Sequence, residues 1–138
     1  MLGAMIPIGG ALTSSGLTAA SADFITSNLS GVNVAWVLVV ILVFTMFVSD
    51  LINNAATAVI MAPVSMQVAQ QMNHPIEPFL IAVAVGASCA FLSPIGHQCN
   101  TLVMGPGNYR FSDYWKLGLP LEILIICISI PVIMTTWF

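Results

Sequence analysis

Two clusters of polar residues interrupt long apolar segments, and both could bind ions. The first is Asn53-Asn54 with Thr57, and the second spans residues 93–100. Each cluster frees backbone N–H and C=O groups that hydrocarbon cannot satisfy, so it must pack in protein or face a water-filled cavity. Freed carbonyls suit cations, whereas the N-termini of half-helices suit anions. A pair of interrupted segments therefore points to the binding site of a secondary transporter.

Several of these residues also have a purely structural interpretation. Asn53 and Asn54 could cap the helix that follows them. Pro94 and Gly96 could form a simple kink. His97 could be a satisfied polar residue in a helix break instead of a group that contacts substrate. The residue types alone leave these alternatives open.

Other chemistry has little support in the sequence. Asp50 lies close to the first cluster, where it either couples ion binding to transport or marks a polar boundary. His97 and Cys99 lack further ligands for a metal site, and with Cys89 and Cys127 the cysteines match no zinc spacing. No nucleophile is paired with a base, so we predict neither an enzyme nor a cofactor beyond a possible coupling ion.

The composition places the chain in a membrane. Of its 138 residues 59% are hydrophobic and 5% are charged, and the mean hydropathy is +1.03. A soluble protein has about a quarter of its residues charged, so the lipid bilayer is the expected surrounding. Two basic residues cannot form a nucleic-acid footprint, so no nucleic-acid partner is expected.

The apolar segments predict an all-α membrane protein, because isolated strands cannot satisfy their backbone groups in lipid. Residues 34–48 carry no charge, but a helix of that length reaches only about 22 Å against a hydrocarbon core of about 30 Å. Residues 55–68 form a second short apolar segment. We therefore predict that residues 34–72 form a re-entrant helical hairpin that enters and leaves on the same side.

The rest of the chain predicts a broken helix and a final helix. Residues 78–104 are long enough to span a membrane, but the second cluster interrupts them. Residues 117–138 form the last transmembrane helix, with Pro120 tolerated near its start and Pro131 producing a kink. Residues 1–33 are interpreted as a helix end followed by an interfacial helix and a loop.

The polar loop of residues 105–116 indicates an orientation. It contains both basic residues, Arg110 and Lys116, so the positive-inside rule places it in the cytoplasm. Its aromatic residues fit an interfacial belt: Tyr109, Tyr114 and Trp115. The expected location is a bacterial inner membrane or a plasma membrane, crossed more than once.

Three stretches, in order, resemble the divalent anion:sodium symporter family, the sodium/sulfate/dicarboxylate carriers. They are AMIPIGGALTSSGLT (4–18), NNAATAVIMAP (53–63) and SPIGHQCNTLVMGPGNYRFSDYWKLG (93–118). The resemblance implies two inverted repeats, each with a re-entrant hairpin and a broken helix that meet at a central binding site. This chain would be the C-terminal part, in need of an N-terminal half and assembled as a homodimer.

The resemblance also implies roles for individual residues. Substrate-binding residues would be Asn53, Asn54, Thr57, His97, Gln98 and Asn100, and cation-binding residues, mainly through backbone, would be Asn54, Ser93, Pro94, Ile95 and Gly96. The chain departs from the family's Ser-Asn-Thr tip at Asn53 and Ala55, and from its Thr-Pro-Pro at residues 97–99. These departures favour sulfate-type members over dicarboxylate carriers, and we expect His97 and Gln98 to decide the substrate.

Together these observations predict secondary active transport of a small divalent anion, sulfate ahead of dicarboxylate. Coupling would be to sodium or protons, by alternating access. One half of an inverted-repeat carrier is not expected to transport alone, so the chain is interpreted as a fragment or as one of two separate chains. The alternatives are a small membrane subunit that binds a partner without transport of its own, and an ion channel.

Overall fold

The computed structural model describes residues 7, 10, 11, 14–28 and 33–138. The regular elements among them are all α-helices, which confirms the all-α prediction for this part of the chain. The helices are α1 (Leu17–Asn28), α2 (Val34–Leu51), α3 (Asn54–Gln71), α4 (Glu77–Ser88), α5 (Gln98–Met104) and α6 (Phe111–Trp137). The helix end predicted near the N-terminus lies largely outside the described residues.

The helices α2 and α3 follow each other through Ile52 and Asn53 and form a helical hairpin. Each has 18 residues, or about 27 Å at the rise of an α-helix. The short length predicted for the first arm is wrong, because α2 continues through the polar residues Ser49 and Asp50. By length and composition α2 can cross a membrane, as can α6. A re-entrant path for the hairpin therefore stays a prediction.

The helix α4 packs against both arms of the hairpin. Phe79 of α4 is fully buried, and Gly86 allows close approach to α2. A Cβ at Gly86 would lie 2.9 Å from the Cβ of Thr45 and 3.0 Å from the carbonyl oxygen of Leu42. The hairpin and α4 thus share one apolar core, to which Ile133 of α6 contributes.

A stretch of non-helical backbone separates α4 from α5, but it starts four residues before the predicted interruption at 93–100, and residues 98–100 are helical. α4 ends at Ser88 and α5 begins at Gln98, and we call residues 89–97 the break. α6 closes over the break through Gly118, where a Cβ would lie 2.5 Å from the carbonyl oxygen of Phe91. The break is therefore packed between α6 and the end of α2.

The last helix begins at Phe111, six residues before the predicted start at residue 117. Its first turn is capped, because the N–H of Arg110 donates to Oδ2 of Asp113 at 2.9 Å. Lys116 pairs with Asp113 at 3.3 Å on the exposed surface. Pro120 consequently lies inside the helix instead of near its start. Residues 111–116, half of the predicted loop of residues 105–116, are helical.

Candidate functional site

Residues 49–54, the end of α2 and the start of α3, form the hairpin tip, and its Ser49 and Asp50 contact the break. The hydroxyl of Ser93 donates to the carbonyl oxygen of Asp50 at 2.6 Å, and the N–H of Leu92 donates to Oδ1 of Asp50 at 3.0 Å. A Cβ at Gly96 would lie 2.8 Å from the carbonyl oxygen of Ser49. Backbone and side-chain contacts together therefore hold the hairpin tip against the break.

Ser49 links the hairpin tip to the end of α4. Its side chain is 0% exposed, and its hydroxyl oxygen lies 2.8 Å from the carbonyl oxygen of Ala87 and 3.0 Å from Oδ1 of Asn54. A hydroxyl carries one proton, so it donates to one of these acceptors at a time. When it donates to Oδ1 of Asn54, Ser49 holds the side chain of Asn54 in place, and when it donates to Ala87 it joins α2 to α4. Ser49 was not among the residues predicted for the site.

The cap interpretation is correct for Asn53. Its Oδ1 accepts from the N–H groups of Ala55 at 2.8 Å and Ala56 at 3.2 Å, as an N-cap residue does. The Asn53 side chain is exposed, and its amide nitrogen takes no part in the cap. Thr57 is 0% exposed, and its hydroxyl donates to the carbonyl oxygen of Asn53 at 3.2 Å. The tip therefore presents amide groups, and the Thr57 hydroxyl is enclosed.

Ser93 shapes the first part of the break. While it donates to Asp50, its hydroxyl oxygen accepts from the N–H groups of Ile95 at 3.2 Å and Gly96 at 3.1 Å. Pro94 and Gly96 are buried, whereas Ile95 is exposed. One buried side chain thus satisfies two backbone groups of the break and one of the hairpin tip.

Asn100 and Thr101 hold the second part of the break from the start of α5. The Asn100 amide donates to the carbonyl oxygens of Ala90 at 3.0 Å and Ser93 at 3.3 Å. The Thr101 hydroxyl donates to the carbonyl oxygen of Pro94 at 2.6 Å. A carbonyl has two lone pairs, so each of these oxygens keeps capacity for a further ligand.

His97 and Gln98 are both exposed and lie at the start of α5. His97 is the N-cap of α5, with its Nδ1 accepting from the N–H of Cys99 at 3.2 Å. A neutral imidazole that accepts at Nδ1 carries its proton at Nε2. His97 therefore offers an outward-facing donor beside the break.

Tyr114 belongs to the site, although the sequence analysis assigned it to an interfacial belt. It is partly buried, and its hydroxyl donates to the carbonyl oxygen of Asn100 at 2.7 Å. The ring of Tyr109 meets its ring edge-on at 6.4 Å. No local pattern reveals this contact, because it depends on how α6 packs over the break.

We expect Tyr114→Phe to lower the free energy of unfolding by about 1 kcal/mol, the usual contribution of one hydrogen bond. The ring would stay in place while Asn100 loses its donor. Thermal unfolding in detergent measures the change, with Tyr109→Phe as the control on an exposed tyrosine. Equal midpoints for the two variants would contradict a role for the Tyr114 hydroxyl.

Glu122 is a third residue, after Ser49 and Tyr114, that was not assigned to the site from the sequence. It is the sole charged residue within 117–138, and the structure places its buried carboxylate beside Asp50. An isolated acid in an apolar segment is expensive and usually functional. That signal was present in the sequence and could have identified Glu122.

Comparison with known proteins decides the family. A family model described as the sodium:sulfate symporter transmembrane region matches residues 1–138. The chain belongs to the sodium:sulfate symporter family. Membership confirms the resemblance seen in the sequence and identifies an integral membrane protein or part of one. The sodium:sulfate symporter family consists of transporters and not of enzymes, so the prediction of no enzymatic activity is confirmed.

Curated relatives of this sodium:sulfate symporter segment carry related descriptions. An uncharacterised transporter of Synechocystis is 37% identical over 125 residues, which cover 91% of this chain and 20% of the relative. A probable sodium/sulfate cotransporter of Chlamydomonas reinhardtii is 30% identical over 67% of this chain and 10% of its own length. A sodium-dependent dicarboxylate transporter of Staphylococcus saprophyticus is 26% identical over 76% and 20%. The chain thus spans at most about a fifth of these relatives.

Proposed function

We propose that the chain forms part of the binding site of a secondary active transporter for a small divalent oxyanion, sulfate ahead of dicarboxylate. Transport would be coupled to sodium and proceed by alternating access. The observation that carries this proposal is the junction of hairpin tip and break, because non-helical backbone between packed helices is how such carriers build ion sites. The names of the Chlamydomonas and Staphylococcus relatives support sodium as the coupling ion.

The anion would be bound by neutral N–H donors. These donors would come from the hairpin tip and from the start of α5. They are the amides of Asn53 and Asn54, Nε2 of His97 and the amide of Gln98. Hydrogen bonds from such donors to a charged acceptor are stronger than those between neutral groups. Amides at the tip, where the family has hydroxyls, favour a compact inorganic oxyanion. We assign Thr57 and Asn100 the task of positioning these groups, since their donors are already engaged.

The coupling cation would be bound through oxygen atoms of the break. The ligands would be the carbonyl oxygens of residues 93–96 and the side chain of Asn54, close to where Gly96 packs against the carbonyl oxygen of Ser49 at the end of α2. Hard cations prefer oxygen ligands, and the carbonyls of Ser93 and Pro94 each keep a lone pair after their bonds to Asn100 and Thr101. The contacts of Asn100 and Thr101 would thus preorganise the cation site.

The whole protein would complete this site with a second hairpin and break from an N-terminal half. We propose that the hairpin α2–α3 is re-entrant, that the loop of residues 105–110 is cytoplasmic, and that the whole protein is a homodimer. These features follow from the family resemblance and from Arg110 and Lys116 near the start of α6.

Uptake of radiolabelled sulfate into proteoliposomes, driven by a sodium gradient, tests the function with the whole protein. Asn54→Ala should reduce the initial rate by about tenfold or more, because a hydrogen bond to a charged group contributes about 1.5–3 kcal/mol. Gln70→Ala is the matched control, an exposed amide at the far end of α3. Unlabelled sulfate should compete better than succinate.

Two results would contradict the proposal. Uptake that is the same in the wild type and Asn54→Ala would remove the tip from the site. Absence of uptake for every oxyanion, with folded protein and an intact gradient, would favour the alternative of a membrane subunit that does not transport.

A further inference from the structure

Two acidic side chains meet in the interior between α2 and α6. Asp50 is 5% exposed and Glu122 is 9% exposed, and the two carboxylates lie beside each other. The proposed cation site uses neither of them. Acids in membrane-spanning helices are rare and commonly mark the path of an ion.

Each carboxylate retains one buried oxygen without a donor. Oδ1 of Asp50 accepts from the N–H of Leu92 at 3.0 Å, while Oδ2 has no hydrogen-bond partner. Oε1 of Glu122 is also buried without a partner, although the backbone of Phe91 interacts with this side chain. Buried oxygens without donors are what a bound cation would coordinate.

No basic group among the described residues compensates the pair. From the break, the pair is faced by the backbone of residues 91–93 and by the thiol of Cys89. Lys116 is exposed and pairs with Asp113, and both Arg110 and His97 are exposed. A buried charge without a partner is strongly unfavourable. Two adjacent carboxylates are therefore stable together only with a shared proton, as in a hydrogen bond between them, or with positive charge from a ligand.

We propose that Asp50 and Glu122 form a binding site for a monovalent hard cation, with one oxygen of each carboxylate as ligand. Carboxylate oxygens suit such ions, and the described residues contain no cluster of three His, Cys, Asp or Glu that would suit a transition metal. The site differs from the one proposed at residues 93–96, because its ligands are side chains and one comes from α6. Only the choice of Na⁺ as the ion rests on the proposed function.

The arrangement makes the ion a bridge between the hairpin and the last helix. Asp50 lies at the hairpin tip, and its carbonyl oxygen accepts from Ser93 of the break. An ion held by Asp50 and Glu122 would therefore stabilise the tip, the break and α6 in one arrangement. Loss of the ion would leave two like charges in contact and favour separation.

Thermal unfolding of the purified whole protein in detergent tests the site without any transport. At constant ionic strength, the midpoint should rise with NaCl but not with choline chloride. Glu122→Gln and Asp50→Asn should each weaken the apparent Na⁺ affinity at least tenfold. Glu77→Gln makes the same chemical change on an exposed acid at the start of α4, and it should respond as the wild type does.

Glu122→Asp is a second test in case Glu122→Gln fails to fold. It keeps the negative charge but shortens the side chain by one methylene. It should bind Na⁺ more weakly while unfolding cooperatively. A wild-type Na⁺ response in Glu122→Gln overturns the proposal, as does a wild-type midpoint that depends on pH but not on Na⁺, which would put a proton in the ion's place. A sodium-dependent midpoint without sulfate uptake would contradict the proposed function and leave this site standing.

Discussion

Replacing Gly96 with alanine is expected to open the junction between the hairpin tip and the break. The new Cβ would lie 2.7 Å from the Cβ of Ala90, 2.8 Å from the carbonyl oxygen of Ser49 and 3.1 Å from the Cα of Asp50. Two of these neighbours are backbone atoms, which cannot turn away as a flexible side chain can. Overpacking of this kind costs about 1–3 kcal/mol, and the proposed site would lose its geometry as well.

Thermal unfolding and sulfate uptake of the whole protein measure the two effects of Gly96→Ala. Gly105→Ala is the matched control, since its Cβ would meet nothing within 4 Å and its φ is −68°. The control should keep the wild-type midpoint and rate, whereas Gly96→Ala should lower the midpoint and abolish most uptake. If the two variants behave alike, the tight contact at Gly96 is unimportant.

Removal of the Ser93 hydroxyl is the second change with a large expected effect. Ser93→Ala leaves the carbonyl oxygen of Asp50 and the N–H groups of Ile95 and Gly96 without their partner. Ser93 is only 8% exposed, so water cannot readily replace the hydroxyl. Because unsatisfied buried groups cost about 1–3 kcal/mol each, we expect a total loss of stability of about 3 kcal/mol.

The matched control for this change is Ser88→Ala, which removes an exposed hydroxyl that donates to the carbonyl oxygen of Ala84 at 2.8 Å. It should change stability by less than about 0.5 kcal/mol, as most surface substitutions do. Chemical unfolding in detergent gives both values. A loss for Ser93→Ala no greater than that for Ser88→Ala would show that the break does not depend on this hydroxyl.

The helices and the break were predictable because they follow from local sequence. A segment without charge must be helical in lipid, and Pro94 with Gly96 interrupts the segment that contains them. The ends of the helices were less predictable. α2 extends through Ser49 and Asp50 because Ser49 finds a partner at the end of α4 and Asp50 finds one in the break. α6 starts early because Asp113 caps its first turn.

The pairings within the candidate site could not be predicted, since they depend on which helix faces meet. Ser49 with Ala87 and Tyr114 with Asn100 join segments whose separation in sequence carries no signal. Asn53 shows a different limit, because its residue type allowed two interpretations, a helix cap and a ligand, and capping was the less favoured of the two. The structure supports the cap for its oxygen and leaves its exposed nitrogen for the proposed anion.

The contacts of α6 with the break have a mechanical consequence. Gly118 fits against the backbone of Phe91, and four residues earlier Tyr114 is bonded to Asn100 on the far side of the break. The last helix thus contacts both ends of the non-helical stretch and supports it. Because of these contacts, the break cannot change shape independently of α6. Any motion that exposes the site to the opposite side of the membrane must therefore move α6 together with the break, or first disrupt the contacts of Gly118 and Tyr114.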